Sequence, residues 1–217
     1  MFLKKPKKAL FIDGSNFYHC LKEEGFEPNQ LHFGKFCEKI VGEQSPAVYY
    51  YTALRKQEDD PNKYAAQLRF HQRIQSENPN LRLRLGKLQY RGKTNDDDIR
   101  AAAKAMGFIK QDIEKLPRLF ESMQLTKEYK EKGVDVKLAI DLVEFSINNK
   151  LDIAIVLSGD ADLVPAVALA RKFKKRVINA HLFTGSAAEL RNASDSHFTI
   201  GKETLKDCWR KQEGMQS

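Results

Sequence analysis

The chain predicts an α/β fold: a parallel sheet with helices on both faces. Three observations carry this. Short aliphatic runs end at carboxylates or glycine-containing turns, segments of helical period lie between them, and this alternation recurs along the 217 residues. With 41% hydrophobic and 30% charged residues against 12 Gly and 7 Pro, there is material for a core, and disordered or low-complexity classes are excluded. The length suits one domain over residues 1–217.

Residues 8–13 form a short buried strand, Ala-Leu-Phe-Ile closing on Asp13, followed by Gly-Ser-Asn and a helical stretch. Residues 47–54 are a second strand, and 62–76 suit a helix. Over 81–90, leucines alternate with Arg82, Arg84 and Gln89, the period of a half-exposed strand. Apolar residues recur at helical spacing over 134–149. A continuous aliphatic strand occupies 153–157, a helix 163–173 and a further strand 176–182. The segment 94–132 interrupts this order and is read as a helical insertion divided by Pro117, with Ile109, Ile113, Leu116, Leu119, Phe120 and Met123 spaced for a common face.

No apolar run approaches the ~20 residues of a membrane span, and the N-terminal apolar stretch is too short for a signal segment, so cytoplasmic residence is expected. Cys20, Cys37 and Cys208 have neither disulfide nor zinc spacing and are expected as free thiols. A net charge of +8 favours an anionic partner such as nucleic acid, although the basic residues are read as scattered among acids.

In a parallel sheet, ligands collect where the strands end. If the strands ending at Asp13 and before Asp160 are adjacent, these carboxylates stand side by side and need a counter-ion or a proton. Asp135 shares a helix face with Leu138, Ala139 and Leu142, where an unpaired carboxylate is costly to bury. A divalent cation would satisfy the group, and all-oxygen ligation points to Mg²⁺ or Mn²⁺. Taken singly, each residue has a plainer role: Asp162 as the cap of the helix at Leu163, with Pro165 in its first turn, and Asp13 and Asp160 as turn residues. Asp141 belongs to a solvated stripe with Lys137, Glu144 and Asn148, and Asp96, Asp97 and Asp98 to an acidic helix start.

Three segments then resemble, in order, the motifs of NYN domains, the LabA-like branch of the PIN-like ribonucleases. They are Ala9-Leu-Phe-Ile-Asp-Gly-Ser-Asn16, Lys132-Gly-Val-Asp-Val-Lys-Leu-Ala139 and Val156-Leu-Ser-Gly-Asp-Ala-Asp-Leu-Val-Pro165. Lys175-Arg176-Val177-Ile178 is similar to the family's final strand, and residues 186–198 to its closing segment. The resemblance implies a PIN-like fold in which Asp13, Asp135, Asp160 and Asp162 bind Mg²⁺ or Mn²⁺ and hydrolyse phosphodiester bonds in RNA. It also implies that Asn16 orients the first aspartate or a metal-bound water. The chain departs from the pattern at Leu163, where Phe is common, and in the length of 94–132.

The leading expectation is a metal-dependent ribonuclease acting on RNA of single-stranded character, with Arg82 and Arg84 as candidate phosphate contacts. A regulator that binds RNA or protein with little turnover is the second. A haloacid-dehalogenase-like phosphohydrolase is third, and it fits poorly, since Ser15 stands where that chemistry needs an acid. The insertion is expected beside the cleft, limiting which RNAs enter; a peripheral appendage or a homodimer contact is the alternative.

Overall fold

The structure, a computed structural model, describes residues 5–58, 60–91, 96–122, 128–184 and 187–210. It divides into two compact units, one running to Gly86 and resuming at Gly133, the other spanning Lys87–Lys132.

In the first unit, strand β1 (Lys8–Asp13) passes directly into helix α1 (Gly14–Glu23). Helix α2 (Phe33–Val41), strand β2 (Ala47–Leu54), helix α3 (Pro61–Glu77) and strand β3 (Leu81–Arg91) follow. Beyond the second unit, which holds α4 to α6 and β4, come helix α7 (Val134–Ile147), strand β5 (Ile153–Leu157), helix α8 (Val164–Lys172), strand β6 (Arg176–His181), helix α9 (Ala188–Ala193), strand β7 (Ser196–Thr199) and helix α10 (Lys202–Asp207). Six strands lie in the order β3-β2-β1-β5-β6-β7. β1 is parallel to β2 and β5, β5 to β6, and β6 to β7.

Strand alternation explains why helices cover both faces. Leu10 and Ile12 of β1 join Phe17, Phe33 and Phe36 of α1 and α2 in one buried cluster. Phe11 points the other way, stacking on Tyr49 and Tyr51 of β2 and meeting Phe145 of α7. β1 is therefore closed on both sides, and Leu10, Phe11 and Ile12 have no exposed surface.

Two elements depart from the expected order. α2 has no counterpart in the sequence reading; its start is held locally by His32, whose Nδ1 accepts the Lys35 N–H, and from a distance by Glu77, at the end of α3, which accepts the backbone N–H of Phe33 and Gly34. Gly34 is required there, since a Cβ would lie 2.3 Å from the Glu77 carbonyl oxygen. The strand at Arg176 is also not the last of the sheet. β7 pairs beyond it, Asn179 opposite His197, as the edge strand.

In the second unit, β3 beyond Gly86 pairs antiparallel with β4 (Glu128–Lys132), and α4 (Asp96–Ala105), α5 (Lys110–Ile113) and α6 (Leu116–Ser122) pack together. Ile109 and Leu119 do not join the expected common apolar face, while Ile113 and Leu116 are half-buried. Gly107, at φ +81°, ends the run of α4, and Ile109 caps the single turn of α5 with 64% of its surface exposed. Leu119 is exposed as well, and the burial is supplied instead by Ile99 and Ala103 of α4. Phe120 and Met123 lie outside the described side chains, as Thr94, Asn95 and Ser186 lie outside the described residues. Asp96 and Asp97 pair with Arg100 at the start of α4, the helix-start role expected of them.

Candidate active site

Parallel pairing of β1 with β5 places Ile12 opposite Leu157, so the next residues, Asp13 and Ser158, face each other at the ends of the two central strands. Asp13 is both the last strand residue and the N-cap of α1. Its Oδ1 accepts the Asn16 N–H at 3.0 Å, and its Oδ2 accepts the Ser158 hydroxyl at 3.0 Å. Gly14 makes the immediate turn into the helix possible, because a Cβ there would stand 2.6 Å from the Tyr50 ring.

The β5 end is held with equal care. Ser158 Oγ accepts the Asp160 N–H at 3.1 Å, and the Asn16 side-chain oxygen accepts the Gly159 N–H at 3.1 Å. Asn179, buried on β6, donates to the carbonyls of Val156 and Ser158 at 3.1 and 2.9 Å. Asp160 caps the short 3-10 turn Ala161–Leu163 through the Asp162 N–H at 2.9 Å. This corrects the cap assignment: Asp160 caps the turn, while Asp162 is exposed within it and α8, beginning at Val164 with Leu163 in the cap position, has no side-chain cap and carries Pro165 in its first turn. Asp135, half-buried in the first turn of α7, follows Gly133, whose φ of +76° favours glycine.

The four aspartates are neighbours electrostatically. Burial pushes the Asp13 carboxyl up to about 6, and the charges of Asp135 and Asp160 push the same way, against the Asn16 and Ser158 hydrogen bonds. Asp135 is raised by burial and then by Asp160 and Asp162. The donor set suits a hard divalent cation by chemistry: every group is a carboxylate, and Asp160 Oδ2 and both oxygens of Asp162 carry no hydrogen bond among the described residues. As the side chains stand, no three of the Asp, Glu, His or Cys residues among those described close around an ion.

Ser158 and Asn179 were not identified from sequence. A serine after an aliphatic strand is the available signal for the first, whereas Asn179 resembles any strand residue. Arg82 is exposed, its guanidinium donating to the Pro79 and Leu81 carbonyls. Arg84 lies over the Tyr49 ring, and its Nε donates to Asp141 at 2.9 Å. Asp141 also accepts the Tyr51 hydroxyl at 2.8 Å, so it is part of a buried-edge network and not of a solvated stripe.

Comparison with known proteins bears on the family and the fold. A model of the NYN domain matches residues 111–201, which hold Asp135, Asp160 and Asp162. An uncharacterized protein of Methanocaldococcus jannaschii is 34% identical over 74 residues, a match spanning 34% of this chain and 31% of that protein's length. A crystal structure of a protein of unknown function from Vibrio parahaemolyticus superimposes with a TM-score of 0.58 at 18% identity, covering 94% of this chain and 98% of that one, and shows a common fold. NYN domains belong to the PIN-like nucleases, which generally use divalent metals and act on RNA. Over residues 111–201, a little under half of its length, this chain matches the NYN domain family.

Proposed function

We propose that the protein is a ribonuclease of the LabA-like branch that hydrolyses phosphodiester bonds of single-stranded RNA, with Mg²⁺ or Mn²⁺ held by Asp13, Asp135, Asp160 and Asp162. The observation that carries this reading is the mutual repulsion of Asp13 and Asp160, at the ends of two adjacent parallel strands, and Asp135, in the first turn of α7, an arrangement that a cation relieves. The bound ion supplies an activated water and charge stabilisation at the phosphodiester. Asp13 is fixed by Ser158 and the α1 N-terminus, and Asn16 positions the turn that presents Asp160 by holding Gly159. Arg82 and Arg84 are candidate phosphate contacts, Arg84 the weaker because Asp141 engages it.

The same reading makes 94–132 an insertion within a single domain that restricts which RNAs enter; a homodimer contact is its competing role. Three free, buried cysteines support a reducing, cytoplasmic setting. Among the described residues no helix is long and apolar enough to cross a membrane.

A second reading, an RNA-binding regulator with little turnover, is favoured by the absence among the described residues of three metal-binding side chains gathered round one point. A metal-dependence series on labelled RNAs and DNAs, run beside Asp160→Asn, separates the two. Cleavage of RNA that requires Mg²⁺ or Mn²⁺ and is lost in the variant supports the nuclease. RNA binding without cleavage under any metal supports the regulator.

A further inference from the structure

Five of the six residues from Arg171 to Arg176 are cations, so the positive charge is not evenly scattered. They close α8 and open β6. The helix ends in a paired hydrogen-bond lock, with the Lys175 N–H on the Ala170 carbonyl and the Lys174 N–H on the Arg171 carbonyl. The left-handed position of that lock, usually glycine, is held by Lys174 at φ 58°. A side chain there costs about 1–2 kcal/mol, and an outlier kept at such cost points to function.

Two of the five cations are committed. Arg171 donates to Asp195 and to the Ala193 carbonyl, each at 2.8 Å, and Lys175 is buried with its ammonium on Asn149. The second oxygen of Asp195 is taken by the Val177 N–H. Lys172, Lys174 and Arg176 are exposed, and among the described residues none of the three side chains has an acidic partner. With Arg171, Lys175, Ala168 and Asp195 they line an open depression of about 640 Å³. Arg176 pairs in register with Ile153, the first residue of β5. The depression therefore lies at the opposite end of the strands from Asp13 and Asp160, about 15 Å away at ~3.3 Å per residue.

We propose that this depression is a second RNA site, gripping phosphates of single-stranded RNA away from the bond that is cut; the proposal rests on the RNA reading above. Small-molecule sites are enclosed, whereas an open trough with three unpaired cations, its one acid Asp195 already taken by Arg171 and the Val177 N–H, suits a polyanion that continues past its ends.

The test uses the full chain in EDTA, which removes the carboxylate end's metal from the measurement. Affinity for a fluorescent 20-nucleotide unstructured RNA is recorded against salt for wild type and for Lys172→Gln/Lys174→Gln/Arg176→Gln. Each phosphate contact on a single strand contributes about 0.7 to the log–log slope, so the triple variant is expected to lose about 2 and Arg176→Gln alone about 0.7. An unchanged slope in variants that melt as wild type overturns the second site and leaves the nuclease reading standing. No RNA binding by wild type overturns both. Loss of binding to phosphatidylserine vesicles with an unchanged RNA slope overturns the RNA assignment in favour of a membrane surface.

Discussion

The two ends of the central strands carry opposite charge. Where β1 and β5 finish, Asp13 and Asp160 repel each other and Asp135 of α7, and Asp13 is lifted to about 6. Where β6 begins, Lys172, Lys174 and Arg176 stand without acidic partners among the described residues. On the proposed function, one end would reject a phosphate until a cation arrives, while the other would attract it at any time. On our reading, holding and cutting the RNA are divided between two edges of one sheet, and each can be disabled alone.

The sharpest break is Asp13→Asn, which should lower metal-dependent cleavage by about 10²–10³-fold while leaving the salt slope of RNA binding intact. The amide can still accept the Asn16 N–H and donate to Ser158, so circular dichroism should be unchanged. Cleavage at the wild-type rate would remove Asp13 from the site.

The same substitution tests the repulsion through stability. Folded Asp13 titrates near 6 and its unfolded counterpart near 3.8, so the native state holds the extra proton between those values. Its favourable contribution is complete below about pH 4 and is lost as pH rises through 6, a loss of about 3 kcal/mol. In metal-free buffer the Asn variant should therefore melt higher than wild type at pH 7 and alike at pH 4. A constant difference across pH would mean that burial and repulsion do not act on Asp13.

Ser158→Ala comes next. It strips the hydroxyl from Asp13 and the acceptor from the Asp160 N–H, and should cost about 1–3 kcal/mol in chemical denaturation. It should also raise the Asp13 titration further, which its carbon chemical shift against pH would report.

The smallest effect is at the basic end. Lys174→Gly relieves the left-handed backbone and should gain about 0.5–1 kcal/mol while flattening the salt slope by about 0.7. A destabilised glycine variant would show that the conformation carries no cost.

What could be read from sequence follows the range of the interactions. β1, β2 and β5 have their expected limits because buried parallel strands are continuous apolar runs bounded by turn residues. Asp13 and Asp160 could be placed side by side on paper on the condition that their strands are neighbours, which β1 and β5 are, whereas Asp135 entered through its helix face and the family motif. α2 could not be read that way, since its start depends in part on Glu77, 44 residues on from Phe33. Nor could the Arg84–Asp141 pair, 57 residues apart, which turned a supposedly solvated helix face into a fixed network. The exchange of cap roles between Asp160 and Asp162 is a matter of one turn's geometry, which residue type does not specify.

Because no loop separates β1 from α1, Asp13 shares the kinetics of the innermost strand. Amide exchange at Leu10, Phe11 and Ile12 should occur only on global unfolding, and the Asp13 carboxylate is anchored to that same slow unit. Asp162 is exposed in the middle of a three-residue turn whose last residue, Leu163, is buried. On our reading, an arriving ion would meet one ligand fixed in the innermost strand and one at the solvent surface, and its capture would begin at the surface one.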